Sequence, residues 1–430
     1  MNTTNSIFGS SFKCPCGKVH DIQPGHVAFH DDAVAQLPGF IPPPPLRIAV
    51  ICDERTRAAA GLEACEVLRA AGYAVAEIVL ESPAGRWPIC DELTHAWIAG
   101  RLDNPQMLLA CGSGVISDLA KWVAGDLGLP YVCLATAASM NGYTSANVAP
   151  TIGGVKSLLR SRPAAAVVST PGVLKSAPYE MTAAGLGDVL AKSVSSADWL
   201  MNSRLFGDYY CAQAVGLIAQ IEPLYLECPK ALRAGDASAT EALFQALLLT
   251  GAAMTMAESS APASGGEHMI SHTLDMMDSL DGAGHDLHGR QVGVGTVIAS
   301  ELYRRLLAIE RPVFREPPAV DAKFWGALAP SIQQEYAKKL PRLAQVAKSL
   351  STGDAWENLR AELSAMVRPS EVIRDCLRDA GAAWRPADIG CDAARVRTAL
   401  LHAHEIRSRV TVLDLAWMTG IMPAAAEVVV

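Results

Sequence analysis

From residue 47 onward the chain alternates short, wholly apolar runs with longer segments whose apolar positions recur at helical spacing. Residues 47–52 (RIAVIC) read as a buried strand ending at Asp53, and 56–71 as an alanine-rich helix closed by Gly72. The same reading gives strands over 73–80, 106–111 and 131–135, with helices over 91–99 and 115–126 between them. Strands that are apolar throughout are buried on both faces, and strands joined through helices pair in parallel. The pattern therefore predicts an α/β, Rossmann-like parallel sheet covered by helices on both faces.

The pattern changes at both ends of this region. Residues 1–40 form a small polar segment holding Cys14, Cys16, His20, His26 and His30. Four prolines at 42–45 then impose an extended stretch, because proline and the residue before it resist helix. Beyond Ser176 strand signals nearly vanish. Segments 183–202, 209–226, 238–259, 265–278, 290–308, 333–349, 354–366, 370–380 and 393–406 all suit helices. The expected organisation is an N-terminal extension over 1–40, an α/β domain over 41–175 and an all-α domain over 176–430.

Composition agrees with two cores: 430 residues, half of them hydrophobic and only 19% charged. A net charge of −8 argues against a nucleic-acid partner and against docking on anionic lipid, both of which need a basic surface. No apolar run approaches the roughly 18 residues that would span a bilayer, so no membrane insertion is expected. The first dozen residues lack the basic and apolar regions of a signal peptide. Eleven cysteines scattered without repeated spacing suit buried thiols in a reducing compartment better than a disulfide framework. A soluble cytoplasmic protein is expected.

Candidate chemistry sits in both halves. The third strand runs into Gly112, Ser113 and Gly114 and leaves as a helix, which points backbone N–H groups at any pyrophosphate held there. Ser117 stands where a third glycine would complete the dinucleotide fingerprint, so the motif alone is weak. Asp53, at the end of the first strand, is placed to accept from a ribose 2′-hydroxyl and to repel a 2′-phosphate, which favours NAD over NADP.

In the helical half, Asp188 is a carboxylate inside the apolar stretch GLGDVLAK (185–192). His268 and His272 lie four apart on one helix face, and His288 opens the next helix. One carboxylate and two imidazoles with an open position make a divalent-metal site. Met269, not Glu, follows His268, so the general base of a metalloprotease helix is missing.

Six ordered stretches then make the chain resemble the sn-glycerol-1-phosphate dehydrogenases. They are GSGVISDLAK (112–121), TAASMNGYTSANVA (136–149), APYEMTAAGLGDVLAK (177–192), SGGEHMISH (264–272), LHGRQVGVGT (287–296) and RSRVTVLDLAW (407–417). That family lies within the iron-containing alcohol dehydrogenase, glycerol dehydrogenase and dehydroquinate synthase superfamily. The resemblance runs from about Arg47 to the C-terminus. It implies a dinucleotide-binding domain over 41–175 and a helical metal- and substrate-binding domain over 176–430, with the active site in a cleft between them.

The resemblance further implies that Gly112, Ser113, Gly114, Val115, Ile116, Ser117 and Asp118 bind NAD or NADP. Thr136, Ala137, Ala138, Ser139 and Ser145 would lie nearer the nicotinamide. Asp188, His268 and His288 would hold Zn²⁺, or another divalent ion such as Ni²⁺. His272 would touch substrate and relay a proton, with Asn141 and Asp188 also at the substrate. The implied reaction reduces dihydroxyacetone phosphate to sn-glycerol 1-phosphate in phospholipid metabolism, in a homodimer or larger homo-oligomer.

Three positions depart from the family pattern. Asn141 replaces an aspartate that contacts substrate hydroxyls, Arg290 replaces a glutamate in the metal loop, and Ser169 replaces a frequent aspartate. They leave room for a different phosphorylated or phosphonate hydroxyketone. A dehydroquinate-synthase-like, carbocycle-forming lyase that uses NAD transiently is the alternative from another class, although SMNGYTS after Thr136 lacks its basic substrate cluster. A non-catalytic metal-stabilised scaffold is a third, disfavoured because it need not keep an open ligand set.

Weaker signals remain. Cys14-Pro-Cys16-Gly17 with His20, joined by His26 or His30, could ligate a separate structural zinc. A C-x-C pair falls short of the usual C-x₂₋₄-C knuckle, so a short flap with free thiols is preferred. Lys192 could reach a substrate phosphate or lie on the surface. Arg407 and Arg409 read as a salt-bridged helix connection before phosphate ligands. His402 and His404, two apart on a helix, face different directions.

Overall fold

The computed structural model describes residues 7–81 and 88–430. By compactness the chain forms two units, one of residues 1–185 with 216–259 and the other of residues 186–215 with 260–430.

The first unit opens with a hairpin, β1 (Ser11–Lys13) against β2 (Val19–Asp21), followed by β3 (His26–Phe29). The predicted strands follow as β4 (Arg47–Asp53), β5 (Ala74–Leu80), β6 (Met107–Gly112) and β7 (Tyr131–Ala135), and the sheet is completed by β8 (Ala166–Ser169). All six pair in parallel in the order β3-β8-β7-β6-β4-β5. Val50, Leu109, Val132 and Val168 are wholly buried along its centre, as expected for strands covered on both faces.

Two of these strands were not expected. β3 comes from the extension and pairs with β8, Val27 opposite Val167. Both are four residues long, too short to carry a period, and β3 is flanked by histidines. The extension is therefore part of the sheet.

Between the strands lie α1 (Leu62–Ala70), α2 (Glu92–Ala99) and α3 (Gly114–Leu127). Asp91 caps α2 by accepting from Thr94 N, and α3 stops at Gly128, whose φ of 66° is the left-handed C-cap that glycine takes without strain.

The chain then enters α4 (Tyr179–Leu190), α5 (Lys192–Phe206), α6 (Ala212–Leu226) and α7 (Ala237–Ala257). The single helix expected over 183–202 is divided at Ala191. Composition alone placed α7 with the helical half, yet it packs in the first unit. Thr144 Oγ1 donates to Leu248 O at 2.6 Å, Thr255 Oγ1 donates to Thr144 O at 3.1 Å, and a Cβ on Gly251 would sit 2.5 Å from Asn141 O.

The second unit is helical. Its centre is α8 (Gly266–Asp281) against α9 (His288–Leu307), with α10 (Ala393–His402) and α11 (Val412–Met418) near the chain end. Small residues let the helices close up. A Cβ on Gly187 would overlap Gly289 O, and one on Gly295 would stand 2.5 Å from Glu267 O. Among the described residues no helix is long and apolar enough to cross a membrane.

Candidate active site

In the first unit, the sheet order reverses between β4 and β6: the chain runs from β4 outward to β5, then crosses back to β6. Ligands of open α/β sheets bind outside the carboxyl ends of strands at such a switch point. Asp53 ends β4 and Gly112 ends β6, so these residues flank it. A Cβ on Gly112 would lie 2.5 Å from Ile116 Cβ, so glycine is what lets α3 start directly from the strand. Asp53 Oδ1 accepts from Thr56 N at 2.7 Å and from Thr56 Oγ1 at 2.9 Å, capping the following turn.

The residues after β7 form a buried polar turn. Ser113 Oγ and Ser139 Oγ share a hydrogen bond, and Tyr143 OH donates to Ala137 O at 2.6 Å. Thr136 N donates to Gly112 O at 3.1 Å, tying this turn to the glycine turn, and Ala138 is fully buried. Ser145 is buried, its Oγ accepting from Asn147 N at 3.0 Å. Val115 is exposed on the first turn of α3. Two members of the expected set are engaged in framework contacts. Asp118 pairs with the buried Lys121 at 3.2 Å and accepts from Ala149 N at 3.1 Å. Ser117 is fully buried, 3.7 Å from Cys133 Sγ.

In the second unit, Asp188, His268 and His288 each offer one donor atom, and these atoms lie within 4.8 Å of one another. Asp188 comes from the last turn of α4, His268 from the first turn of α8 and His288 from the start of α9. Asp188 Oδ1 is 3.5 Å from His268 Nε2, and the His268 and His288 rings are 5.1 Å apart. His272, one turn along α8, stacks on His288 at 5.6 Å and 20°.

The neighbours set the imidazole tautomers. Glu267 Oε1, a carboxylate that can only accept, lies 2.8 Å from His268 Nδ1, so that nitrogen donates and Nε2 keeps its lone pair on the Asp188 side. Ser271 Oγ donates to Gln291 Oε1 at 2.9 Å and lies 3.2 Å from His288 Nδ1. With the hydroxyl proton given to Gln291, His288 Nδ1 donates to Ser271 and Nε2 carries the ring's lone pair. Both imidazoles are thus oriented so that they could serve as ligands. The set fits a divalent ion with an open position, by the chemistry of its donors.

Lys192 is neither on the surface nor extended toward solvent. It is buried, with Nζ 3.5 Å from Asp188 Oδ1 and donating to Ala263 O at 3.3 Å. Burial pushes the Asp188 carboxyl up, but the Lys192 ammonium and the two histidines outweigh that and hold it well below the usual carboxylate range. Arg290 is spent on Asp286, 2.8 Å from Nε, and on Asp388 O. Its charge is therefore matched inside the loop. Ser169 is fully buried and donates to Ala135 O at 2.7 Å within the sheet. Arg409 donates to Ser264 O, anchoring the loop before α8.

Comparison with known proteins gives the family. The chain is 32% identical over 283 residues to a glycerol-1-phosphate dehydrogenase [NAD(P)+] of Bacillus velezensis, covering 64% of this chain and 71% of the relative. The chain belongs to the glycerol-1-phosphate dehydrogenase family. A family member of Bacillus licheniformis is 28% identical over 413 residues, 95% of this chain and 93% of its own. Another, of Thermococcus kodakarensis, is 32% identical over 254 residues, 59% of this chain and 70% of its own.

Residues 28–178 match the iron-containing alcohol dehydrogenase family. The fold is that of the wider group. NADH-dependent butanol dehydrogenase A of Thermotoga maritima superposes with a TM-score of 0.59 at 13% identity, over 94% of this chain and 98% of that one. Maleylacetate reductase of Agrobacterium tumefaciens gives 0.57 at 16%, over 93% and 97%. The α/β fold class followed by a helical half, expected from the sequence, is the one observed.

Sequence reasoning passed over Glu267, Ser271 and Gln291. Adjacent residues on a helix do not normally face each other. Here Glu267 folds back at the helix start, where Gly265 N also donates to its Oε1 at 2.8 Å. Its position directly before His268 was the available signal.

Proposed function

We propose that this protein is a metal-dependent, NAD(P)H-linked oxidoreductase that interconverts dihydroxyacetone phosphate and sn-glycerol 1-phosphate. The observation that carries the reading is the Asp188, His268 and His288 donor set with His272 stacked beside it. In the reducing direction a bound reduced nicotinamide would supply the hydride for the ketone carbon, and the protein the proton for its oxygen, so that ketone, NAD(P)H and one proton balance alcohol and NAD(P)+.

Asp188, His268 and His288 would hold a divalent ion, Zn²⁺ before Ni²⁺, which would supply Lewis-acid polarisation of the carbonyl and, in reverse, a lowered alcohol pKa. Asp188 stays ionised beside Lys192 and presents a full negative charge to a cation. Glu267 and Ser271 orient the two imidazoles. His272, whose imidazole has one nitrogen that can donate and one that can accept, moves the proton to and from the substrate oxygen. Asn141 hydrogen-bonds substrate hydroxyls with an amide in place of the family's carboxylate.

The switch point of the sheet would hold NAD(P), with Gly112, Ser113, Gly114, Val115 and Ile116 cradling the pyrophosphate and Thr136, Ala137, Ala138, Ser139 and Ser145 serving the nicotinamide end. Asp53 favours NAD. Asp53→Asn keeps the turn cap, since either residue caps, and removes the charge; NADPH should gain on NADH by about tenfold in kcat/KM, or about 1.4 kcal/mol. An unchanged ratio would remove Asp53 from the cofactor site. The carbocycle-forming reading is not favoured, because the relatives carry the dehydrogenase name. We further place the protein in the cytoplasm as a homodimer or larger.

The deciding experiment measures NADH oxidation with dihydroxyacetone phosphate, with and without chelator, alongside metal content. His268→Ala should lose both bound metal at this site and turnover. His272→Ala should keep the metal and lose about 10²–10⁴-fold in kcat. Full metal and full turnover in His268→Ala would sink the assignment. No oxidation with any hydroxyketone phosphate, despite bound metal, would sink the substrate class.

A further inference from the structure

We infer that the N-terminal hairpin carries a second, structural zinc, held by Cys14, Cys16 and His20. In the first unit each of these side chains offers one donor atom, and the three atoms lie within 4.8 Å of one another. Cys16 Sγ is 3.3 Å from His20 Nε2. A tetrahedral ion with Zn–S near 2.3 Å and Zn–N near 2.0 Å sets its S and N ligands about 3.5 Å apart, so the pair needs only a small adjustment. Closeness of this kind also serves a thiol–imidazole hydrogen bond, and the test separates the two.

The turn is what brings the donors together. Cys14 N donates to Lys18 O at 2.9 Å and Gly17 N donates to Cys14 O at 3.0 Å. Gly17 has a φ of 90°, a backbone conformation that side-chain-bearing residues resist, and it folds the Cys16 thiol back over the hairpin. Phe12 stands opposite His20 in the register, their rings 5.7 Å apart, closing one side of the imidazole. Cys14 and His20 are buried. His26 and His30, the other partners the sequence suggested, do not join; His26 leans on Phe40 at 5.7 Å.

Chemistry and stability both favour an ion here. Binding Zn²⁺ displaces the two thiol protons, and the two thiolates offset the charge of the ion, which a buried site requires. Structural zinc takes four donors, and these three residues supply all but one. The strands are three residues each, and a hairpin this small is marginal at best unless something fastens it. The ion would be a fastener, with no part in the hydride reaction.

The test uses the full chain. Titrating wild-type protein with a mercurial thiol reagent beside a zinc-indicator dye should release one zinc per chain. Cobalt-loaded protein should show thiolate-to-cobalt charge-transfer absorption, which an Asp/His/His site cannot give. That absorption should persist in His268→Ala and disappear in Cys14→Ser/Cys16→Ser. Because it reads sulfur ligation, the result stands whether or not the dehydrogenase reading holds. If the double variant does not fold, the mercurial release and the wild-type cobalt spectrum decide alone. No zinc released by the mercurial, or a cobalt spectrum without the sulfur band, overturns the inference.

Discussion

Glu267 Oε1 stands 2.8 Å from His268 Nδ1 and accepts a second bond from Gly265 N at the same distance, so one carboxylate fixes both an imidazole and the start of its helix. Glu267→Ala should weaken metal binding by about 10–100-fold while the ligands themselves remain, as loss of an outer partner does. Competition with a chelating indicator checks it. Affinity within twofold of wild type would remove Glu267 from the positioning of His268.

The approach of Gly187 to Gly289 predicts a second sensitivity. A methyl at 187 meets a backbone carbonyl, which cannot turn aside as a side chain can. Gly187→Ala should separate α4 from α9 and carry Asp188 away from His288. We expect a loss of about 1–3 kcal/mol in stability together with loss of bound metal. Urea unfolding and metal analysis check the two parts separately, and unchanged metal content would refute the second.

Asp198 collects three donors: Gly266 N at 2.7 Å, Tyr303 OH at 2.6 Å and Val412 N at 2.8 Å. It thereby joins α5, α8, α9 and α11. Asp198→Ala would bury those donors without an acceptor and should cost about 3–5 kcal/mol. Asp198→Asn keeps an acceptor and should cost less. The order of the two urea midpoints is the readout.

His404 supplies a pH dependence. Burial, then the neighbouring Lys339 charge, lowers its pKa to about 4. The folded protein therefore refuses a proton that the unfolded chain accepts near pH 6.5, so the unfolded state binds more protons in that window. Stability should fall as pH drops from about 6.5 to 4, by about 3 kcal/mol at the lower end. His404→Gln should show a shallower decline; parallel profiles would contradict the assignment.

Legibility in the sequence followed the physics of each element. β4 and β6 were plain because strands buried on both faces have no polar interruptions. β3 and β8 were not, since four residues carry no period and their pairing is decided by distant chain. The clustering of the acid and histidines was legible from helical spacing, and the family motifs implied their roles. Spacing could not show that Lys192 turns inward to Asp188, or that Arg290 is matched by Asp286. Those depend on tertiary burial, which residue type alone does not reveal. The split at Ala191 was equally hidden, since its composition is that of a continuous helix.

The packing of α7 on the turn at 141–145 has a consequence for synthesis. Thr144 finds its acceptor at Leu248, and Thr255 reaches back to Thr144. The first unit therefore cannot finish folding when its sheet has emerged from the ribosome; it must wait for residue 257. Meanwhile 186–215, which belongs to the other unit, has already been made. The two units are interleaved in time as they are in sequence, and a fragment ending at 175 would lack the helix that closes its own turn.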